Sequence, residues 1–88
     1  MPQARTFNAD AARFGAIVRR LRTQRGWTLR KLATRSGLSP IYVSIVERGG
    51  NVPSLTTVLE LIEVLGGDIA EVMRELAAAR MQPVSRET

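Results

Sequence analysis

The 88-residue chain contains no cysteine and no histidine. Without thiolate or imidazole groups it cannot form a disulfide framework, the usual zinc sites or a histidine-activated nucleophile. It also has no apolar run near the roughly 20 residues that span a bilayer, and its first residues lack the apolar core of a secretory signal. We therefore expect a cytoplasmic protein that is not an enzyme, binds no metal or cofactor and does not enter a membrane.

Arginine is the residue that the chain has in excess, and it is distributed unevenly. Residues 1–50 carry ten basic and two acidic side chains, a balance of +8, whereas residues 51–88 carry three basic and six acidic ones, a balance of −3. All but one of the basic residues are arginine, whose planar guanidinium matches phosphate oxygens and guanine edges. A solvated basic face would give the same count, so the charge favours a polyanionic partner only where it coincides with a binding motif.

Hydrophobic periodicity predicts five helices and no strands, at about residues 11–25, 28–37, 39–49, 54–65 and 68–80. Ser39 and Pro40 give the clearest helix start, because serine caps free N–H groups and proline suits the first helical position. The fourth helix is expected to bury Leu55, Val58, Leu59, Ile62 and Leu65. The sequence thus predicts a compact all-α fold with a flexible arm at residues 1–9, a domain at 10–80 and a frayed tail at 81–88.

The second and third predicted helices are joined by a tight turn at Gly37, a residue that adopts positive φ at little steric cost. The third helix is expected to be exposed and is followed by Arg48. A helix-turn-helix has this form, and its second helix enters the major groove of DNA. The coincidence of this motif with the basic half of the chain indicates DNA as the polyanion.

The order of residues across this segment matches a known family. The matching pieces are Leu21-Arg22, Gly26, Thr28, Leu32-Ala33, Gly37-Leu38-Ser39, Tyr42-Val43-Ser44, Val46-Glu47-Arg48-Gly49, Pro53-Ser54-Leu55 and Leu65-Gly66. Together they resemble the lambda-repressor-like, Cro/XRE-type helix-turn-helix family over roughly residues 14–76. The resemblance implies a five-helix domain and a transcriptional regulator, a repressor or controller protein, that binds an inverted-repeat operator in double-stranded DNA as a homodimer. It also implies a structural ion pair between Arg22 and Glu47.

The resemblance places the DNA contacts on the second and third helices. Phosphate contacts are expected from Thr28, Arg30, Lys31, Ser39 and Arg48, and base contacts from Pro40, Ile41, Tyr42, Ser44 and Ile45. Weaker phosphate candidates are Arg19, Arg20, Arg25 and Arg35. Family members often carry an amide where this chain has Leu29, Pro40 and Ile45, so the bidentate contact with adenine is lost. Ile41 and Ile45 are expected to touch thymine methyl groups instead.

A second interpretation of the third helix stays open. Pro40, Ile41 and Ile45 would form an exposed apolar strip, and such strips often mark protein contacts. The chain could then be a protein-docking module, such as an antitoxin-type protein with a toxin or antirepressor as its partner.

The homodimer is expected to form through the fourth and fifth helices. Their apolar residues exceed what one small core needs, and the surplus includes Leu61, Val64, Met73 and Met81. The same residues could instead complete the core of the monomer. Trp27 is expected to pack in the core rather than to stack on a base.

Overall fold

A computed structural model describes residues 7–81 of the chain. This part contains five helices and no strand, which are α1 (Ala9–Gln24), α2 (Leu29–Ser36), α3 (Pro40–Glu47), α4 (Leu55–Val64) and α5 (Ile69–Met81). The predicted all-α fold is confirmed, and α1 begins two residues before its predicted start. Residues 1–6 of the predicted arm and residues 82–88 of the predicted tail lie outside the described residues. No helix within residues 7–81 is both long and apolar enough to cross a membrane.

Each helix begins at a polar side chain that accepts a hydrogen bond from a backbone N–H in the first turn. These capping residues are Asn8, Thr28, Ser39, Ser54 and Asp68. Because the first N–H groups of a helix have no partner inside it, such caps fix where the helix starts. The local sequence therefore sets the register of α2 and α3, the two helices that form the predicted motif.

The core lies where all five helices meet. Its fully buried large side chains are Val18, Leu32, Val43, Val46, Leu61 and Ile62. One predicted core residue is wrong, since Leu55 is 71% exposed. It is the first residue of α4, whereas the buried residues of that helix, Leu61 and Ile62, lie near its other end. Of the apolar residues expected at a dimer surface, Leu61 is instead buried in the monomer core, whereas Met73 and Met81 are exposed.

The backbones of α1 and α3 approach each other closely. A Cβ atom at Gly15 of α1 would overlap the carbonyl oxygen of Val46 and lie 2.7 Å from that of Glu47. Only glycine permits this contact, because both facing atoms belong to the backbone and cannot rotate away. The end of α3 is therefore held directly against the middle of α1.

Candidate nucleic-acid interface

The turn between α2 and α3 is built as the sequence predicts. Gly37 takes a left-handed conformation with φ of 73°, and its N–H donates to carbonyls of the last turn of α2. Leu38 then donates its N–H to the carbonyl of Ala33 at 3.0 Å and packs its side chain against the core. Ser39 starts α3 at once. The two helices are thus joined by residues 37–39 and held in one orientation.

Arg22 and Glu47 form the ion pair that the resemblance implies. The Arg22 Nε–Glu47 Oε2 distance is 2.6 Å and the Nη2–Oε1 distance is 3.0 Å, so the pair is bidentate. The two side chains are only 12% and 6% exposed. The hydrogen bonds to Glu47, and then its charge, raise the pKa of Arg22, although burial opposes them. The pair links the end of α1 to the end of α3.

A third bond of Arg22 extends this link to the start of α2. Its Nη1 donates to the backbone carbonyl of Trp27 at 2.8 Å. One guanidinium therefore ties together the three chain segments that frame the motif. Because Glu47 is the one acid within α2 and α3, its burial also leaves the outer surface of these two helices without a negative charge.

The residues predicted to contact phosphates lie on the surface at the start of α2 and at the two ends of α3. Thr28, Arg30, Lys31, Ser39 and Arg48 are all exposed. The hydroxyl oxygens of Thr28 and Ser39 accept capping hydrogen bonds, an arrangement in which each hydroxyl proton can still be donated to an anion. Arg48 Nη1 donates to Ser44 Oγ at 2.8 Å, so this guanidinium lies along the last turn of α3.

The residues predicted to contact bases differ in exposure. Pro40 and Ile41 are exposed, Ile41 at 74%, and they form the outermost apolar surface of α3. Ser44 is half-buried, and so is Tyr42, whose hydroxyl donates to Asn51 Oδ1 at 3.0 Å. The predicted exposed strip is wrong in one respect, because Ile45 is also half-buried. Its side chain lies against the backbone at Gly50, where the chain leaves α3.

Trp27 shows a feature that the sequence interpretation missed. The ring packs against the core, as expected, but it also lies beside Arg25, Lys31 and Arg35. Part of the signal was available, because Lys31 and Arg35 are spaced four apart in α2 and so share one face of that helix. Of the other weaker candidates, Arg20 is engaged with Glu75 of α5.

Residues 18–72 match the sequence pattern described as helix-turn-helix. The match runs from the middle of α1 into α5 and covers more than half of the chain. The chain belongs to the helix-turn-helix family. The predicted resemblance to Cro/XRE-type transcriptional regulators is therefore confirmed, together with the fold that it implies.

Individual members of this family show how far the similarity extends. The chain is 40% identical over 52 residues to the HTH-type transcriptional regulator y4dJ of Sinorhizobium fredii, covering 59% of this chain and 68% of that protein. Relatives from Mycobacterium tuberculosis are 38% identical over 65 residues, but the chain spans only 25% of their length.

Two proteins of solved structure are similar in both sequence and fold. One structure of the clp gene regulator ClgR from Corynebacterium glutamicum is 34% identical with a TM-score of 0.74, covering 86% of this chain and 96% of the solved chain, and in a second ClgR structure 79% of the solved chain is covered. The restriction-modification controller protein C.AhdI from Aeromonas hydrophila is 40% identical with a TM-score of 0.69, covering 74% of this chain and 98% of that one. The chain therefore shares its fold and part of its sequence with a gene regulator and with a controller protein.

Proposed function

We propose that this protein is a sequence-specific transcriptional regulator, a repressor or controller protein, that binds an inverted-repeat operator as a homodimer. The observation that carries the proposal is the surface that α3 and the adjoining residues expose. The acid of α3 is buried against Arg22, the outer surface of the helix presents Ile41, and exposed cations lie at the start of α2 and at the end of α3. ClgR and C.AhdI, a gene regulator and a controller protein, support the same role. Such a role requires the compartment that holds DNA, and we expect the cytoplasm.

In this proposal α3 lies in the major groove while α2 crosses the DNA backbone. The phosphate contacts come from Thr28, Arg30, Lys31, Ser39 and Arg48. The bases are met by Pro40, Ile41, Tyr42, Ser44 and Ile45, with Ile41 foremost because it is 74% exposed whereas Ile45 is half-buried. A side chain without polar atoms recognises the thymine methyl group, so we expect preference for a T-containing step. Backbone contacts would set affinity, and Ile41 would set sequence preference.

A groove beside the α3–α4 connection supports the homodimer. It measures about 360 Å³, and its apolar lining includes Phe14, Val52, Leu55, Val58 and Met73. Leu55 protrudes from the rim, so in a two-fold dimer it could enter the groove of the other copy. Among the described residues that line the groove none is basic. A second copy of this cationic chain would meet the least repulsion here, and we propose it as the occupant.

This dimer would use α4 and α5 together with the start of α1 and the α3–α4 connection. Since that connection follows α3 directly, the contact would fix the separation of the two α3 helices. Half-sites one helical turn apart, about 34 Å, are the spacing that such dimers recognise. Leu55→Glu is expected to give monomers in sedimentation experiments, whereas Met81→Glu, at an exposed methionine outside the groove, should leave the dimer intact.

The experiment that tests the proposed function is selection of bound duplexes from a random DNA pool at about 0.15 M salt, where non-specific binding is weakened. We expect an inverted repeat with half-sites about 10 bp apart. Ile41→Ala should then reduce the preference for the contacted thymine by about 1 kcal/mol, leave the salt dependence unchanged and exceed the effect of Ile45→Ala. Recovery of no consensus would contradict the proposal.

The exposure of Ile41 also favours a second candidate function, docking of a partner protein on Pro40 and Ile41. A toxin or antirepressor would be a partner of this kind. In that case Ile41→Ala would weaken partner binding and leave DNA binding unchanged. The duplex selection separates the two candidates, since only the regulator yields a consensus.

A further inference from the structure

Three cations surround the ring of Trp27. The Arg25 Cζ atom lies 4.9 Å from the ring centroid, the Arg35 Cζ atom 5.2 Å and the Lys31 Nζ atom 5.8 Å. All three distances are within the range of a cation–π interaction. Arg25 follows α1, Trp27 lies in the connection to α2, and Lys31 and Arg35 occupy successive turns of α2. We call these four residues the Trp27 cluster.

The Trp27 cluster has positive charge without a compensating acid. Within residues 7–81, no carboxylate lies within 4.0 Å of the charged nitrogens of Arg25, Lys31 or Arg35, and the ion pairs that form use other arginines. The three cationic side chains are exposed, while the ring is half-buried. The ring attracts each cation, but the cations repel one another. An anion placed among them would remove this repulsion.

The Trp27 cluster is also fixed relative to α3. Arg25 Nε donates to the backbone carbonyl of Leu65 at 2.7 Å, and the carbonyl of Trp27 accepts from Arg22. Arg22 is in turn bound to Glu47 at the end of α3. Any anion held by the cluster would therefore sit at a defined position relative to the helix that contacts bases.

We propose that the Trp27 cluster holds a backbone phosphate of DNA outside the bases contacted by α3, with Trp27 as the positioning residue for Arg25, Lys31 and Arg35. This inference rests on the proposed DNA binding. In a helix-turn-helix the first helix of the motif crosses the DNA backbone, and that helix is α2, which carries Lys31 and Arg35. Guanidinium groups bind phosphate oxygens through charge-assisted hydrogen bonds. The cluster thereby adds Arg25 and Arg35 to the phosphate contacts.

The chain contains one tryptophan, so its fluorescence reports on the Trp27 cluster alone. The full-length protein is titrated with the selected operator, lengthened by flanking base pairs, while tryptophan emission and the anisotropy of labelled DNA are followed together. We expect the emission to change along the same binding curve as the anisotropy. Heparin at equal charge serves as a second polyanion and should change the emission as well.

Variants then test the role of the ring and of its cations. Arg35→Ala should bind the operator several-fold more weakly and reduce the slope of log affinity against log salt by about one, without altering sequence preference. Arg74→Ala is the matched control, since it removes an exposed arginine of α5, a helix with no part in the proposed DNA contacts, and should leave the slope unchanged. Trp27→Leu should lower the slope, and Trp27→Phe should restore it. If Trp27→Leu does not fold, the slope of log affinity against log salt in Arg35→Ala decides whether the inference holds.

The outcomes separate this inference from the proposed function. Operator binding by anisotropy, with unchanged emission and an unchanged slope in Arg35→Ala, would overturn the inference and leave the proposed function intact. If no duplex binds, both fall. An emission change with an acidic peptide such as poly-glutamate but not with DNA would overturn the inference and indicate an acidic protein partner.

Discussion

The two faces of α1 meet their neighbours in different ways. Toward α3, the backbone at Gly15 touches the carbonyl of Val46, and Arg22 pairs with the nearly buried Glu47. Toward α5, Arg20 also forms a bidentate pair, with distances of 2.9 and 3.0 Å to Glu75, but both side chains are 46% exposed. A groove of about 210 Å³, open to solvent, lies between α1 and α5 beside that pair. The same type of ion pair is thus shielded from solvent on one face of α1 and exposed to solvent on the other.

The difference shows which helix the fold holds most firmly. Water and ions screen an exposed pair, whereas a nearly buried pair that loses one partner leaves a charge without solvation. Close backbone contact and the buried pair act together on α3, the helix proposed to contact bases. The contact with α5 is looser, and α5 borders the groove proposed for the second copy. The tighter contacts of α1 are therefore those that hold α3, the helix proposed to contact DNA.

The largest effect is expected for Glu47→Ala. The substitution would leave the guanidinium of Arg22, only 12% exposed, without its partner. Breaking a buried pair in this way costs about 3–5 kcal/mol of unfolding free energy, a large share of the stability of a small domain. Urea unfolding followed by circular dichroism measures the change. An unaltered melting temperature would contradict this expected loss. It would show that the buried pair stabilises the fold no more than an exposed pair does.

A smaller loss is expected for Gly15→Ala, which adds a methyl group where α1 meets the carbonyls of α3. Overpacking of this kind costs about 1–3 kcal/mol, because the helices must separate. The control lies on the other face, where Ala16 lines the open groove toward α5. Ala16→Met has room for its side chain and should alter the unfolding free energy by less than about 0.5 kcal/mol. Equal losses of unfolding free energy in the two variants would contradict the conclusion that α1 packs more tightly against α3 than against α5.

These contacts differ in how far the sequence predicts them. The helix starts at Thr28 and Ser39 and the turn at Gly37 follow from local chemistry, so the motif is placed correctly from sequence alone. The pairing of Arg22 with Glu47 joins residues 25 apart and was reached only through the family resemblance. Its burial, and the bond to the Trp27 carbonyl, depend on how the helices pack.

Packing also explains what the sequence interpretation got wrong. Periodicity gives the apolar face of a helix but not where the core ends, so Leu55 was placed inside although it lies at the rim of a groove. Ile45 is half-buried although its position in α3 predicts exposure. The residues that follow α3, at Gly50, lie against its side chain, and the periodicity of α3 alone does not show this contact. The cations around Trp27 come from two sides of a loop. Each of these outcomes depends on tertiary geometry beyond one helix.

The Arg20–Glu75 pair is expected to contribute little. A double-mutant cycle of Arg20→Ala and Glu75→Ala should give a coupling of about 0.2–1 kcal/mol, typical of exposed pairs. The coupling should decrease at about 1 M salt, where the Debye length falls to about 3 Å. A coupling as large as the loss in Glu47→Ala would show that exposure does not weaken this pair, and the comparison between the two faces would fail.

The smallest expected effect is a pH dependence at the same pair. The hydrogen bonds from Arg20 lower the pKa of Glu75; burial opposes them, and the charge of Arg20 adds a smaller lowering effect. A carboxyl whose pKa is lower in the folded state stabilises the protein above its unfolded pKa, about 4.3, and this stabilisation is lost as the pH falls through the folded pKa. Glu75→Gln removes the titrating group. The difference in unfolding free energy between the two proteins should therefore be constant from about pH 7 to 5 and shrink below about pH 4. A difference that grows on acidification would mean that Arg20 does not stabilise the charged form of Glu75.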